Sequence, residues 1–249
     1  ILAILFVLAT FGESFSHTAS AALSMPAIMY GTAWKKDKTR DLVVMAVRAG
    51  FRGIDTACQP KHYNEAGVGD ALHILESQDG IKREEIFIQT KFTPVGGQDP
   101  KNIPYDPKAP LRLQVQQSMT VSLKNLRTSY VDSLVLHSPL DSHGKTMEVW
   151  REFEAFVREG KAHQIGLSNN YDLASFEAIF RDAEIKPTVL QNRFYADTGY
   201  DVGLREACRR RGVTYQSFWT LTANPGLLQS RAVLEAAQEL RATPAQVLF

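Results

Sequence analysis

The stretch Ile86–Lys91 reads IFIQTK, three apolar residues followed by Gln89, Thr90 and Lys91. A short run rich in β-branched and aromatic residues reads as a buried strand, and this one stops on an ammonium. Two other runs stop in the same manner. Upstream, GFRGID ends at Asp55, and a phenol, Tyr63, follows in the loop QPKHYNE; downstream, SLVLH ends at His137. In a barrel of parallel strands such ends converge on one face, where the loops build a site. A phenol beside a carboxylate-paired ammonium, with an imidazole at hand, can protonate a carbonyl oxygen.

Working outward from that stretch, strand-like runs alternate with amphipathic helices from Ser24 onward. PAIMYGTA leads to a predicted helix over 40–49, with Asp37 or Thr39 as N-cap and Gly50 as stop. RGID precedes a helix over 66–76. IFIQTK precedes a long Gly/Pro-rich loop and a helix over 111–126, and VDSLVLH a helix over 145–158. HQIGLS, TVLQN and VTYQSF precede helices over 173–181, 202–211 and 231–240. The strands read as apolar with little alternation, as strands buried on both faces do. Seven βα units predict an α/β protein of the (β/α)8 TIM-barrel class, here lacking the eighth strand–helix unit. No Gly-x-Gly-x-x-Gly follows the first strand, which argues against a Rossmann domain.

The chain has 249 residues, 44% hydrophobic and 22% charged, with formal net charge +1, which fits one barrel domain over 24–249, incomplete at its C-terminus. The near-neutral balance and the lack of a dense basic tract argue against nucleic acid as partner. Two cysteines, Cys58 and Cys208, make neither a disulfide framework nor a metal site, so no metal is expected. Residues 1–23 are largely apolar and end in small residues, read either as a targeting remnant or as an upstream translation artefact. The expected location is cytoplasmic, or organellar or secretory if residues 1–21 are a targeting segment.

GIDTA followed by Y-N-E and VG, then IFIQTK, SLVLHSP, GKAHQIGLSNN, VLQN and TPAQVL, resembles the aldo-keto reductases in order and spacing, from Met25 to Phe249. The resemblance implies a TIM barrel that takes NADPH across the strand C-termini and reduces small-molecule aldehydes or ketones. It implies a catalytic tetrad of Asp55, Tyr63, Lys91 and His137. Tyr63 would be the proton donor, made acidic by Lys91, which Asp55 holds; His137 would orient the carbonyl. Ser168, Asn169 and Gln191 would hold the nicotinamide amide; Gly31, Thr32 and Ala33, with Asp55, would lie near its ribose. Ser217, in the loop after the seventh strand, would contact pyrophosphate, and stacking would pass to Phe218 or Trp219 or be lost. Trp34 and Tyr105 are candidate aromatic walls for substrate, with the 92–110 loop as part of a lid, and His137 also faces substrate. A monomer or weak oligomer is expected.

The chain departs from the family pattern in places. Tyr63 stands eight residues after Asp55, farther than the family spacing, so that His62 is an alternative donor. Gln216 takes the place of the nicotinamide-stacking tyrosine of many relatives, and Ser138 that of an aromatic. These departures motivate a second reading, a catalytically weak cofactor-binding regulatory protein. Alone, an Asp, a Lys or a His at a strand end reads as a structural ion pair or a cap; Ser168 alone would be a helix N-cap.

Overall fold

The computed structural model describes residues 23–249; all but the last residue of the apolar segment 1–23 lies outside the described residues. Seven strands follow in chain order: β1 (Tyr30–Gly31), β2 (Gly53–Asp55), β3 (Phe87–Phe92), β4 (Val131–Leu136), β5 (Ala162–Ser168), β6 (Val189–Arg193) and β7 (Thr214–Phe218). They pair in parallel in that same order, β1 to β7, in one sheet that curls into part of a barrel. Helices α1 (Thr39–Arg48), α2 (Glu65–Asp79), α3 (Leu111–Leu126), α4 (His143–Arg158), α5 (Leu173–Asp182) and α6 (Val202–Arg211) alternate with the strands. After β7 come a single turn, α7 (Pro225–Leu228), then α8 (Arg231–Leu240) and α9 (Pro244–Leu248). No helix among the described residues is long and apolar enough to cross a membrane.

The two faces of the sheet differ. On the outer face Ile88, Phe92, Leu134, Leu136, Ile165, Leu167 and Leu190 join the core with Trp150, Phe153 and Phe176 of the helices. The inner face corrects the expectation of strands that are apolar throughout. One register row runs Gly31, Asp55, Gln89, Ser133, Gln164, and most of it is polar. Gln164 donates to Ser133 Oγ (3.3 Å), which donates to Gln89 Oε1 (2.9 Å). Gln89 Nε2 in turn donates to Asp55 Oδ1 and to Gln216 Oε1, both at 2.8 Å. Gln191 Nε2 reaches the same two acceptors at 3.2 and 2.9 Å. Buried polar groups are tolerated when each finds a partner, and the glutamines supply donors and acceptors in equal number. Gln216 Nε2 lies 3.0 and 3.1 Å from the sulfurs of Met25 and Met29, which brings β7 against the segment before β1.

Local rules explain the helix starts. Asn64 caps α2 by accepting from Gly67 N (2.9 Å), and Asp172 caps α5 by accepting from Ala174 N and Ser175 N. The α1 expectation is corrected: Thr39 is the first helical residue, its hydroxyl donates to Lys36 O (2.7 Å), and neither it nor Asp37 caps. Gly50, at φ 107°, follows that helix as expected. Gly166 permits the closest strand approach, since a Cβ there would overlap both the side chain and the carbonyl of Val189.

Candidate active site

β2, β3 and β4 deliver Asp55, Lys91 and His137 to the same end of the sheet, as the register of those strands requires. Lys91 is 1% exposed and donates to Asp55 Oδ1 (2.6 Å), Asp55 Oδ2 (2.7 Å) and Thr56 O (2.8 Å). Its three donors are therefore all engaged. Asp55 accepts further from Gln89 and Gln191, so donors on two other strands, β3 and β6, anchor the carboxylate. Burial pulls the Lys91 pKa down, and the Asp55 carboxylate opposes that pull.

Tyr63 reaches over this pair from the β2–α2 loop, where its N–H donates to Gln59 O (3.0 Å). The Lys91 ammonium lies 5.3 Å from the centre of the Tyr63 ring, and the His137 ring stands edge-on to it at 6.0 Å. The phenol differs from the expectation in one respect. Its pKa is raised, first by burial and then by the charge of Asp55. Lys91, facing Asp55 with every donor engaged, does not make the phenol more acidic here. His137 is held neutral, its pKa lowered to about 3 by burial, with Lys91 and His62 adding to the effect. Its Nδ1 lies 2.6 Å from Thr93 Oγ1, which leaves Nε2 facing away from that hydroxyl. His62 has other company: its ring packs on Trp34 at 3.8 Å between centroids, and its Nδ1 is shielded without a partner. Trp34, His62, Tyr63 and Asn64 line a cavity of about 330 Å³.

The remaining expected residues are distributed as follows. Thr32 is fully buried and donates both its N–H (3.0 Å) and its hydroxyl (2.9 Å) to Asp55 O, fixing β1 to the end of β2 beside Gly31 and Ala33. Asn169 adopts a left-handed φ of 50° and donates to His137 O (2.8 Å) and Ser168 Oγ (3.1 Å). Ser168 and Gln191 are opposite one another in register, both buried. Ser217 is corrected: it belongs to β7 itself, is exposed, and its hydroxyl accepts from Thr220 Oγ1 (2.8 Å). Phe218 ends that strand opposite Arg193. Tyr105 is corrected as well. It is 6% exposed, packs 5.6 Å from Phe92 and donates to Thr93 O (2.7 Å), so it anchors the 92–110 loop from within the core rather than walling the mouth. Gln98 and Gln59 tie the same loop to Cys58 O, Thr93 O and Gly97 O. Trp34, by contrast, is 57% exposed at the rim. Burial pushes the Cys58 thiol up to about 12, which makes it inert at neutral pH.

Three contributors escaped the sequence reading: Gln89, Thr56 and Thr93. Gln89 and Thr93 flank Lys91 at two-residue steps on the same strand face, and period-two spacing was the signal that could have found them. Thr56 acts through its carbonyl, which side-chain identity does not reveal.

A nicotinamide carboxamide needs one donor and one acceptor, and the site can supply both. Among the described residues the Ser168 hydroxyl hydrogen and Gln191 Oε1 have no protein partner, whereas the Asn169 and Gln191 amide hydrogens are engaged. The donor set thus fits the group. Among the described residues no cluster of three or more His, Cys, Asp or Glu is arranged to hold a metal ion.

Known proteins resemble this chain in sequence and fold. A glyoxal reductase from Bacillus subtilis is 30% identical over 213 residues, 86% of this chain and 68% of its own length. The aldose reductase of Schistosoma japonicum superposes with a TM-score of 0.72 at 28% identity, over 92% of this chain and 75% of its own. A Bombyx mori aldo-keto reductase solved in complex with NADP shares the fold, with a TM-score of 0.71 at 22% identity, over 90% of this chain and 75% of its own. The model of the aldo/keto reductase family matches residues 26–246. With seven parallel strands in one sheet and a family match over most of its length, this chain belongs to the aldo/keto reductase family.

Proposed function

We propose that the protein is an NADPH-dependent carbonyl reductase in which Tyr63 is the proton donor. The observation that carries this reading is the Lys91–Asp55 pair at 2.6 Å beneath the Tyr63 ring, with His137 edge-on beside it. The dihydronicotinamide supplies the hydride. Ser168 and Gln191 hold its carboxamide, and Gly31, Thr32 and Ala33 border its ribose. His137, neutral, donates from Nε2 to the substrate oxygen, provided the Thr93 hydroxyl donates to Nδ1. That hydrogen bond fixes the tautomer, so Thr93 is a positioning residue.

The raised phenol pKa is compatible with proton donation. Tyr63 keeps its proton until an alkoxide forms, and an alkoxide is far more basic than a phenolate, so transfer runs downhill. The phenolate that remains lies against the Lys91 ammonium and its Asp55 partner until solvent returns the proton. Tyr63 is preferred to His62 as donor because the ammonium lies against its ring, whereas His62 packs on Trp34. The exposed Trp34 would form one wall for a small aldehyde or ketone.

The test mixes the whole chain with NADPH and an aromatic aldehyde and follows dihydronicotinamide absorbance. Turnover that falls roughly 10²–10⁴-fold in Tyr63→Phe, the range for losing a positioned proton donor, is the expected result. Cofactor binding without turnover across a broad carbonyl panel would instead identify a regulatory cofactor-binding protein. Loss of activity in His62→Gln with Tyr63→Phe unaffected would move the donor one residue upstream.

A further inference from the structure

Most arginines of the described chain face a carboxylate, as Arg83 does Asp132, Arg151 Glu154 and Arg211 Glu177. Arg193 does not. Among the described residues no carboxylate lies within ion-pair distance of it, its guanidinium donates to no protein acceptor, and its Nε is shielded from solvent without a partner. Yet the group is held in place. Its central carbon lies 4.2 Å from the Trp219 ring centre, 5.1 Å from Tyr195 and 5.9 Å from Phe218. Trp219 adopts a left-handed φ of 56°, an unfavourable conformation for a bulky residue, and so lays its indole against the cation. A guanidinium packed against rings in this way keeps its two terminal N–H groups for an oxyanion, which they can grip with two parallel hydrogen bonds.

Position narrows the choice of anion. Arg193 ends β6 two residues beyond Gln191, on the same strand face, opposite Phe218 and one step nearer the mouth than Gln216. Its backbone N–H donates to Tyr171 Oη (3.2 Å), and that hydroxyl donates to Asn169 Oδ1 (3.2 Å), which ties it to the expected carboxamide site. The reacting carbonyl belongs across the mouth, at the ends of β2 to β4. A dinucleotide is long enough to run from that point to the rim of β6 and β7, and a small carbonyl compound is not. The geometry points to Arg193 as a binding residue for a phosphate of the cofactor's diphosphate bridge, an inference that rests on the nicotinamide reading of the site.

The experiment titrates the whole chain calorimetrically with NADPH and with dihydronicotinamide riboside, which lacks phosphate. In Arg193→Met the NADPH Kd rises roughly 10- to 100-fold, the scale of a charge-assisted bidentate contact, while the riboside Kd is unchanged. Arg193→Lys, which keeps the charge but not the fork, falls between the two and guards against a misfolded Met variant. Equal NADPH affinity in wild type and both variants overturns the assignment alone. So does an unchanged NADPH Kd with a raised KM for a carboxylate-bearing aldehyde, which would make the anion a substrate group. Wild type that binds neither ligand overturns the nicotinamide reading and the Arg193 assignment together.

Discussion

Two cations stand at the mouth of this barrel, and their surroundings are opposite. Lys91, on β3, is 1% exposed and has every donor engaged by Asp55 and Thr56. Arg193, on β6, is half-buried, stacked on three aromatic rings, and has no carboxylate partner among the described residues. Compensation is complete on one side and absent on the other. A buried cation without a partner is unfavourable, so Lys91 in the interior depends on Asp55. A cation kept at the rim retains water and can exchange that water for a ligand. One charge belongs to the fold, the other is available for binding.

The largest effect should come from breaking the compensated side. Lys91→Met leaves Asp55 buried without its cation and should cost about 3–5 kcal/mol in chemical denaturation. The double change Lys91→Met with Asp55→Asn should recover part of that loss; no recovery would mean that the ion pair is not what the interior depends on. Next, Thr93→Val removes the hydroxyl that fixes the His137 tautomer and should lower kcat roughly 10- to 100-fold with little change in cofactor Kd. Thr93→Ser should restore kcat, which a merely steric role would not allow.

Acid provides a third probe. The folded-state pKa of His137 is about 3, below the value near 6.5 of an unfolded histidine. The unfolded chain therefore binds one more proton between those values, and stability falls as pH drops from 6.5 toward 3, by up to about 1.4 kcal/mol per pH unit. His137→Gln should flatten that slope by as much as one proton. An unaltered slope would show that the imidazole is not buried in its neutral form. The smallest effect belongs to the uncompensated side. Arg193→Met should cost only about 1 kcal/mol of stability, from lost cation–π contact, however much it weakens anion binding. A loss as large as that of Lys91→Met would erase the contrast between the two cations.

Much of the fold was legible because strand ends and helix stops are local. The helices over 111–126, 202–211 and 231–240 coincide with the structure, each closed by a residue in the left-handed conformation: Arg127, Gly212 and Arg241. The ends of IFIQTK and SLVLH, with GFRGID, placed Lys91, His137 and Asp55 together because parallel strands in register leave no other arrangement. Tertiary contacts were not legible. Tyr105 reads as a loop aromatic, but Phe92 and the Thr93 carbonyl draw it into the core. The raised phenol pKa was missed because it depends first on how deeply the ring is buried and then on the nearby Asp55 charge, matters of distance rather than order. Arg193 drew no notice because an arginine in sequence does not announce whether an acid will meet it.

The row Gln164, Ser133, Gln89, Asp55 has a consequence for any redesign of this interior. Replacing Gln89 with leucine would orphan the Ser133 hydroxyl on one side and strip a donor from the carboxylate on the other. Filling the centre with hydrocarbon is therefore not a stepwise exercise. Substitutions must arrive as a set spanning four strands, or each intermediate sequence is worse than both its ends.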